Sequence, residues 1–168
     1  MKFCPMCGTV QTKRQVTVCE FCDYEEKDFK LLSKQEIDDI MACYEYEVVG
    51  GGVRIKAVKN ARNLRGAVAI PHFVTEIGKH AFSSCKFLSR FDLPKNLRYI
   101  GDGAFAGCRD LFDVFIPAGV SHIGKGAFSG CYDLGVIEAA ASEQPQGWDR
   151  EWRSGCDAKV EWSSTEEE

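Results

Sequence analysis

No run of apolar residues in this 168-residue chain approaches the roughly 20 needed to cross a bilayer as a helix. Histidine is scarce, with only three in the chain, and none of them belongs to a Ser/His/Asp or Cys/His arrangement. No phosphate-cradling glycine loop and no paired-carboxylate motif occurs. Positive charge is not in surplus either: the formal net charge is −4, which argues against a general grip on nucleic acid. Met1-Lys2-Phe3-Cys4 leads into the next motif without an apolar signal core, so a cytoplasmic location is expected. These absences point away from an enzyme, from a membrane partner and from a small-molecule substrate.

Cysteine, by contrast, is plentiful at nine residues. Cys4-Pro5-Met6-Cys7 is followed, after eleven intervening residues, by Cys19-Glu20-Phe21-Cys22. Two such Cys-x-x-Cys knuckles supply four thiolates at the spacing of a tetrahedral, structural Zn2+ site. Gly8 suits the left-handed turn that lets backbone N–H groups face the sulfurs, and Asp23 stands in the matching place after the second knuckle. Val10, Val16 and Val18 read as two short strands around a polar tip. Two disulfides and a rubredoxin-like iron are the alternatives, whereas a catalytic zinc needs an open position that four thiolates do not leave. This segment resembles the short zinc ribbons at the start of many bacterial proteins. Lys2, Lys13 and Arg14 face Glu20, Asp23, Glu25 and Glu26 in residues 1–26, so the ribbon lacks a basic patch.

Through the middle of the chain, a block of 23 residues occurs three times without insertion. The copies run Ile70-Pro71…Ile77-Gly78…Ala81-Phe82…Cys85…Leu88, then Leu93-Pro94…Ile100-Gly101…Ala104-Phe105…Cys108…Leu111, then Ile116-Pro117…Ile123-Gly124…Ala127-Phe128…Cys131…Leu134. A single copy offers only a handful of core side chains at about 1.5–3 kcal/mol each, against roughly 1–2 kcal/mol of backbone ordering per residue. Coils of this kind must therefore stack. Alternation after Leu88, Leu111 and Leu134 predicts a short strand in each coil, pairing in parallel up the stack and ending at proline. Val74/Leu97/Val120 and Ile77/Ile100/Ile123 point inward on a second extended side, with Gly78, Gly101 and Gly124 turning the corner. Phe82, Phe105 and Phe128 should stack as a column. Cys85, Cys108 and Cys131 recur at the same interval and read as buried packing residues, and Cys43 and Cys156 as core or cap residues.

The pattern Ile-Pro-x-x-Val-x-x-Ile-Gly-x-x-Ala-Phe-x-x-Cys-x-x-Leu resembles the BspA-like class of leucine-rich repeats, over about Tyr44 to Trp162. The resemblance implies a right-handed solenoid, with a strand on one side of each coil, that binds proteins.

The ends differ from the repeats. Ser33 and Glu36 form a capping box, with Leu32 and Ile37 as its staple, so a helix should start near Lys34 and pack Ile37, Ile40 and Met41 on the first coil. Tyr44–Val49 and Val53–Val58 flank Gly50-Gly51-Gly52 as a hairpin expected to cover the start of the stack. Trp148, Trp152 and a final Val160-Glu161-Trp162 strand should shield its end. The expected organisation is an α+β solenoid: zinc ribbon 1–26, linker helix 27–43, solenoid with hairpin and tryptophan-rich caps 44–162, and a disordered acidic tail 163–168.

Two outward ladders follow from the strand alternation, Ala67/Arg90/Asp113/Val136 and Ala69/Asp92/Phe115/Glu138. Phe115 stands between two acids with Phe112 beside it, the composition of an interface anchor. Arg90, Asp92, Phe112, Asp113, Phe115 and Glu138 are thus the candidate surface for a protein partner. Glu76, Tyr99 and His122 form a further outward ladder. The second reading is a nucleic-acid- or ribosome-associated factor that makes contact through the zinc ribbon.

Overall fold

The structure is a computed structural model and describes residues 2–3, 10–11, 34–50 and 52–163. Cys4, Cys7, Cys19, Cys22, Val16, Val18, the Leu32 and Ser33 of the helix start, and residues 164–168 lie outside the described residues. Two short strands, β1 (Lys2–Phe3) and β2 (Val10–Gln11), pair antiparallel. Among the described residues Val10 has Phe3 as its strand partner, and the expected strand through Val16 and Val18 lies outside them.

Helix α1 (Lys34–Ile40) is short. Of its expected apolar face, Ile40 is 46% exposed and so is not packed, Met41, just past the helix end, is buried, and the Ile37 side chain lies outside the described residues. Strands β3 (Tyr44–Val49) and β4 (Gly52–Val58) form the expected hairpin, with a bulge at Glu45/Tyr46.

From β4 onward the chain coils through two parallel sheets of about five rungs. Strands β5 (Gly66–Ala69), β7 (Leu88–Asp92), β9 (Asp113–Ile116), β11 (Val136–Ala139) and β12 (Lys159–Trp162) make the first. Strands β6 (Val74–Ile77), β8 (Tyr99–Ile100) and β10 (His122–Ile123) continue from β4 and β3 to make the second. Register between neighbours in the repeats is in step, as in Arg90↔Asp113, Phe91↔Val114 and Ile77↔Ile100.

Stacking buries what the periodicity marked. Phe82, Phe105 and Phe128 lie nearly parallel, with ring centroids 5.5 and 5.2 Å apart, and each is fully buried. Tyr44 meets this column edge-on at its first ring and Trp152 at its last, both at 5.8 Å. Trp148 donates its indole N–H to the Val120 carbonyl at 3.0 Å, so this buried tryptophan leaves no polar group unsatisfied.

The corner glycines have a different reason from turn geometry. A Cβ on Gly101 would lie 2.6 Å from the Lys79 nitrogen, and one on Gly124 2.5 Å from the Asp102 nitrogen. Each glycine instead donates its N–H across the gap, Gly101 to Ile77 O and Gly124 to Ile100 O, both at 2.8 Å. Coil backbones touch there, and no side chain fits between them. Positive φ occurs elsewhere in the coil, at Ser84 (φ 61), Gly107 (φ 74) and Gly130 (φ 68).

Candidate binding face

Parallel strands whose side chains alternate across the sheet present every second residue outward, with neighbouring rungs about 4.8 Å apart. In the first sheet this brings five of the six sequence-marked residues, Arg90, Asp92, Asp113, Phe115 and Glu138, onto one outward face. Phe112 sits one residue before β9, at the edge of that face, and is 51% exposed. Both ladders continue one rung further than the repeat pattern revealed, because β12 pairs Lys159 with Val136 and Glu161 with Glu138. Reading Val160-Glu161-Trp162 as a parallel rung would have placed both residues.

Charge on this face is mostly neutralised internally. Arg90 bonds Asp92 through Nε at 3.3 Å and faces Asp113 at 3.7 Å, while Lys159 meets Glu161 at 2.7 Å. Glu138 has no ion pair among the described residues, and its neighbour across the ladder is Phe115, 46% exposed. One bare carboxylate beside one bare phenyl ring is what the face offers.

The second sheet presents a more closed surface. Arg54 bonds Glu76 at 2.7 Å and Glu47 at 2.9 Å, and the Glu76 hydrogen bond is the main reason its guanidinium is held above its usual range, with Glu47 adding to it. Tyr99 and His122 stack face to face at 4.4 Å. These outward groups satisfy one another.

Buried thiols run up the stack beside the phenyl column. Cys108 Sγ donates to the Phe82 carbonyl and Cys131 Sγ to the Phe105 carbonyl, each at 3.2 Å. Burial pushes Cys85 up to about 11 and Cys131 to about 12, and Cys108 also upward, so these thiols stay protonated and poor as nucleophiles. Cys156 is buried as expected, but Cys43 is exposed. Among the described residues no cluster of His, Cys, Asp or Glu has the arrangement of a metal site.

Comparison with known proteins agrees with this geometry. The family described as BspA type leucine rich repeat region (6 copies) matches residues 54–143. A leucine-rich repeat protein from Bacteroides ovatus ATCC 8483 superposes with a TM-score of 0.53 at 25% identity, covering 71% of this chain and 36% of that one. A leucine rich cell surface protein from Faecalibacterium prausnitzii A2-165 is 22% identical over 72% of this chain and 38% of that one, with a TM-score of 0.43. The leucine rich repeat protein of T. pallidum is 21% identical over 58% of this chain and 69% of that one, with a TM-score of 0.33. The chain thus spans little more than a third of the Bacteroides protein's length. No curated protein matches it. With more than half of its residues matched by the family and its coils stacked as a solenoid, this chain belongs to the BspA-type leucine-rich repeat proteins.

Proposed function

We propose that the chain is a non-enzymatic protein-interaction module whose first-sheet face takes a protein partner through Phe115 and Glu138. The observation that carries this reading is the exposed phenyl beside an unpaired carboxylate, on a sheet whose other charges are already matched. A partner presenting an arginine or lysine fits it, since a cation over a phenyl ring with a carboxylate alongside gains from both. The protonated thiol column leaves nothing reactive beneath that face, which supports the absence of catalysis. The hairpin and the tryptophan segment act as end caps on a right-handed coil.

The test is capture of a partner from the source cell with wild type and with Phe115→Ala. Loss of a central aromatic anchor costs about 2 kcal/mol or more, roughly 30-fold in affinity. Undiminished capture by the variant refutes this choice of face.

At the amino terminus, Cys4, Cys7, Cys19 and Cys22 hold one structural Zn2+. The antiparallel pairing of Lys2–Phe3 with Val10–Gln11 supports this, because it brackets the first knuckle between two strands of a hairpin. Zinc there stabilises a fold with too few apolar side chains to hold alone. Metal analysis should give one zinc per chain, lost in Cys19→Ser. A zinc-free wild-type chain refutes the site.

A further inference from the structure

The two sheets end unequally. At the start of the stack β3 extends the second sheet beyond β4, but among the described residues nothing pairs with the outer side of β5 in the first. Gly66 and Ile70 donate inward, to Phe87 O at 2.9 Å and Asp92 O at 3.0 Å. Alternation then turns the N–H and C=O groups of Ala67 and Ala69 outward. Those residues are exposed and small, and past the register shift at Gly66/Ala67 the strand carries no proline and no inward charge to blunt its edge.

Beside that edge lies a hollow of about 410 Å³, with Tyr44, Leu64 and Val68 among its lining residues and Lys59, Asn63 and Arg65 contributing polar groups. Val68 is only half buried, and among the described residues no rung lies beyond it. Three cations lie together beside this edge. Lys59, Arg62 and Arg65 have no carboxylate within 4.0 Å among the described residues, as is also true of Lys86, Lys95, Arg98, Arg109, Arg150 and Arg153, but only these three flank the open edge. Arg65 is held over the Phe87 ring at 4.3 Å, which fixes its charge near this edge.

We infer that β5 is a docking edge for an extended acidic polypeptide segment from a partner protein, which adds as a further strand. Its backbone pairs with Ala67 and Ala69, an apolar side chain enters the hollow, and flanking carboxylates meet Lys59, Arg62 and Arg65. A strand supplies the carbonyls and amides that the edge lacks, and a nucleic acid does not. Arg65 already occupies one face of Phe87, which leaves less of that ring for stacking a base.

The test is fluorescence anisotropy of the full chain with a labelled, end-blocked peptide of alternating valine and glutamate. Binding should saturate and weaken about ten-fold or more in Lys59→Glu/Arg65→Glu and in high salt, but not in the distant control Lys95→Glu. Ala69→Pro removes only an outward donor, so it should abolish binding while leaving thermal unfolding nearly unchanged. Bound peptide should also slow alkylation of Cys43, which lines the hollow, read by mass spectrometry on wild type. The inference is overturned by no binding, by equal binding of a valine–lysine peptide, by undiminished binding to a folded Ala69→Pro variant, or by tighter binding of a thymidine oligonucleotide. Because Phe115 and Glu138 take no part, each of these results leaves the first-sheet reading standing.

Discussion

The thiol column makes the fold sensitive to alkali in a calculable way. In the unfolded chain Cys85, Cys108 and Cys131 ionise near the ordinary value of 9.0, whereas the folded stack holds their protons up to about 11 at Cys85, about 12 at Cys131 and higher than ordinary at Cys108. Above pH 9 the folded state thus binds more protons than the unfolded one, so stability falls as pH rises. Because an unfolded thiol is only half ionised at pH 9, each such thiol forfeits about 1.4 kcal/mol over the whole interval from pH 8 to pH 10, and the three together about 4 kcal/mol. That is a large part of the 5–15 kcal/mol typical of a domain. Urea denaturation at both pH values, under reductant and followed by the fluorescence of the buried Trp148 and Trp152, measures it. The triple variant Cys85→Ala/Cys108→Ala/Cys131→Ala should be less stable at pH 8 yet lose about 4 kcal/mol less on going to pH 10. Equal losses in the two proteins would refute the buried, proton-holding role of the column.

Two further substitutions test the stack itself. Phe105→Ala removes the middle ring of three and should cost about 3–5 kcal/mol in chemical denaturation; a cost below 1 kcal/mol would mean the column is not close-packed. Ser84, at φ 61, occupies a place where the next two coils have Gly107 and Gly130, so Ser84→Gly should stabilise by about 1 kcal/mol, seen as a raised unfolding midpoint.

The buried half of each coil was legible because its chemistry repeats: the phenyl, thiol and aliphatic positions recur at one interval, and stacking demands that they coincide. The same logic placed Phe115 and Glu138 on one face. In the first coil Ala67 and Ala69 pair with Arg90 and Asp92 as the alternation placed them, but neither the register shift between Gly66 and Ala67 nor the double use of β4 as hairpin arm and rung was legible. Ile40 was misplaced because its burial depends on where a seven-residue helix stops, and local periodicity does not set that. The glycine pattern was seen but its cause was not, as close approach of two backbones is a property of neighbouring coils and leaves no mark within one.

Near-identical coils pose a problem of counting, since a chain shifted by a whole coil would fill its interior almost as well. A row of weak charges carries the tally. Lys79 meets Asp102 at 3.5 Å, the Lys125 backbone N–H donates to the Asp102 carboxylate at 3.1 Å, and Lys125 meets Glu151 at 2.5 Å. The sign alternates from coil to coil. Exchange of coils with a second copy offset by one would set like charge against like, whereas an offset of two would not. Each contact contributes only a few tenths of a kcal/mol at the surface, but where the interiors are degenerate, parity is what distinguishes the correct alignment from its nearest impostor.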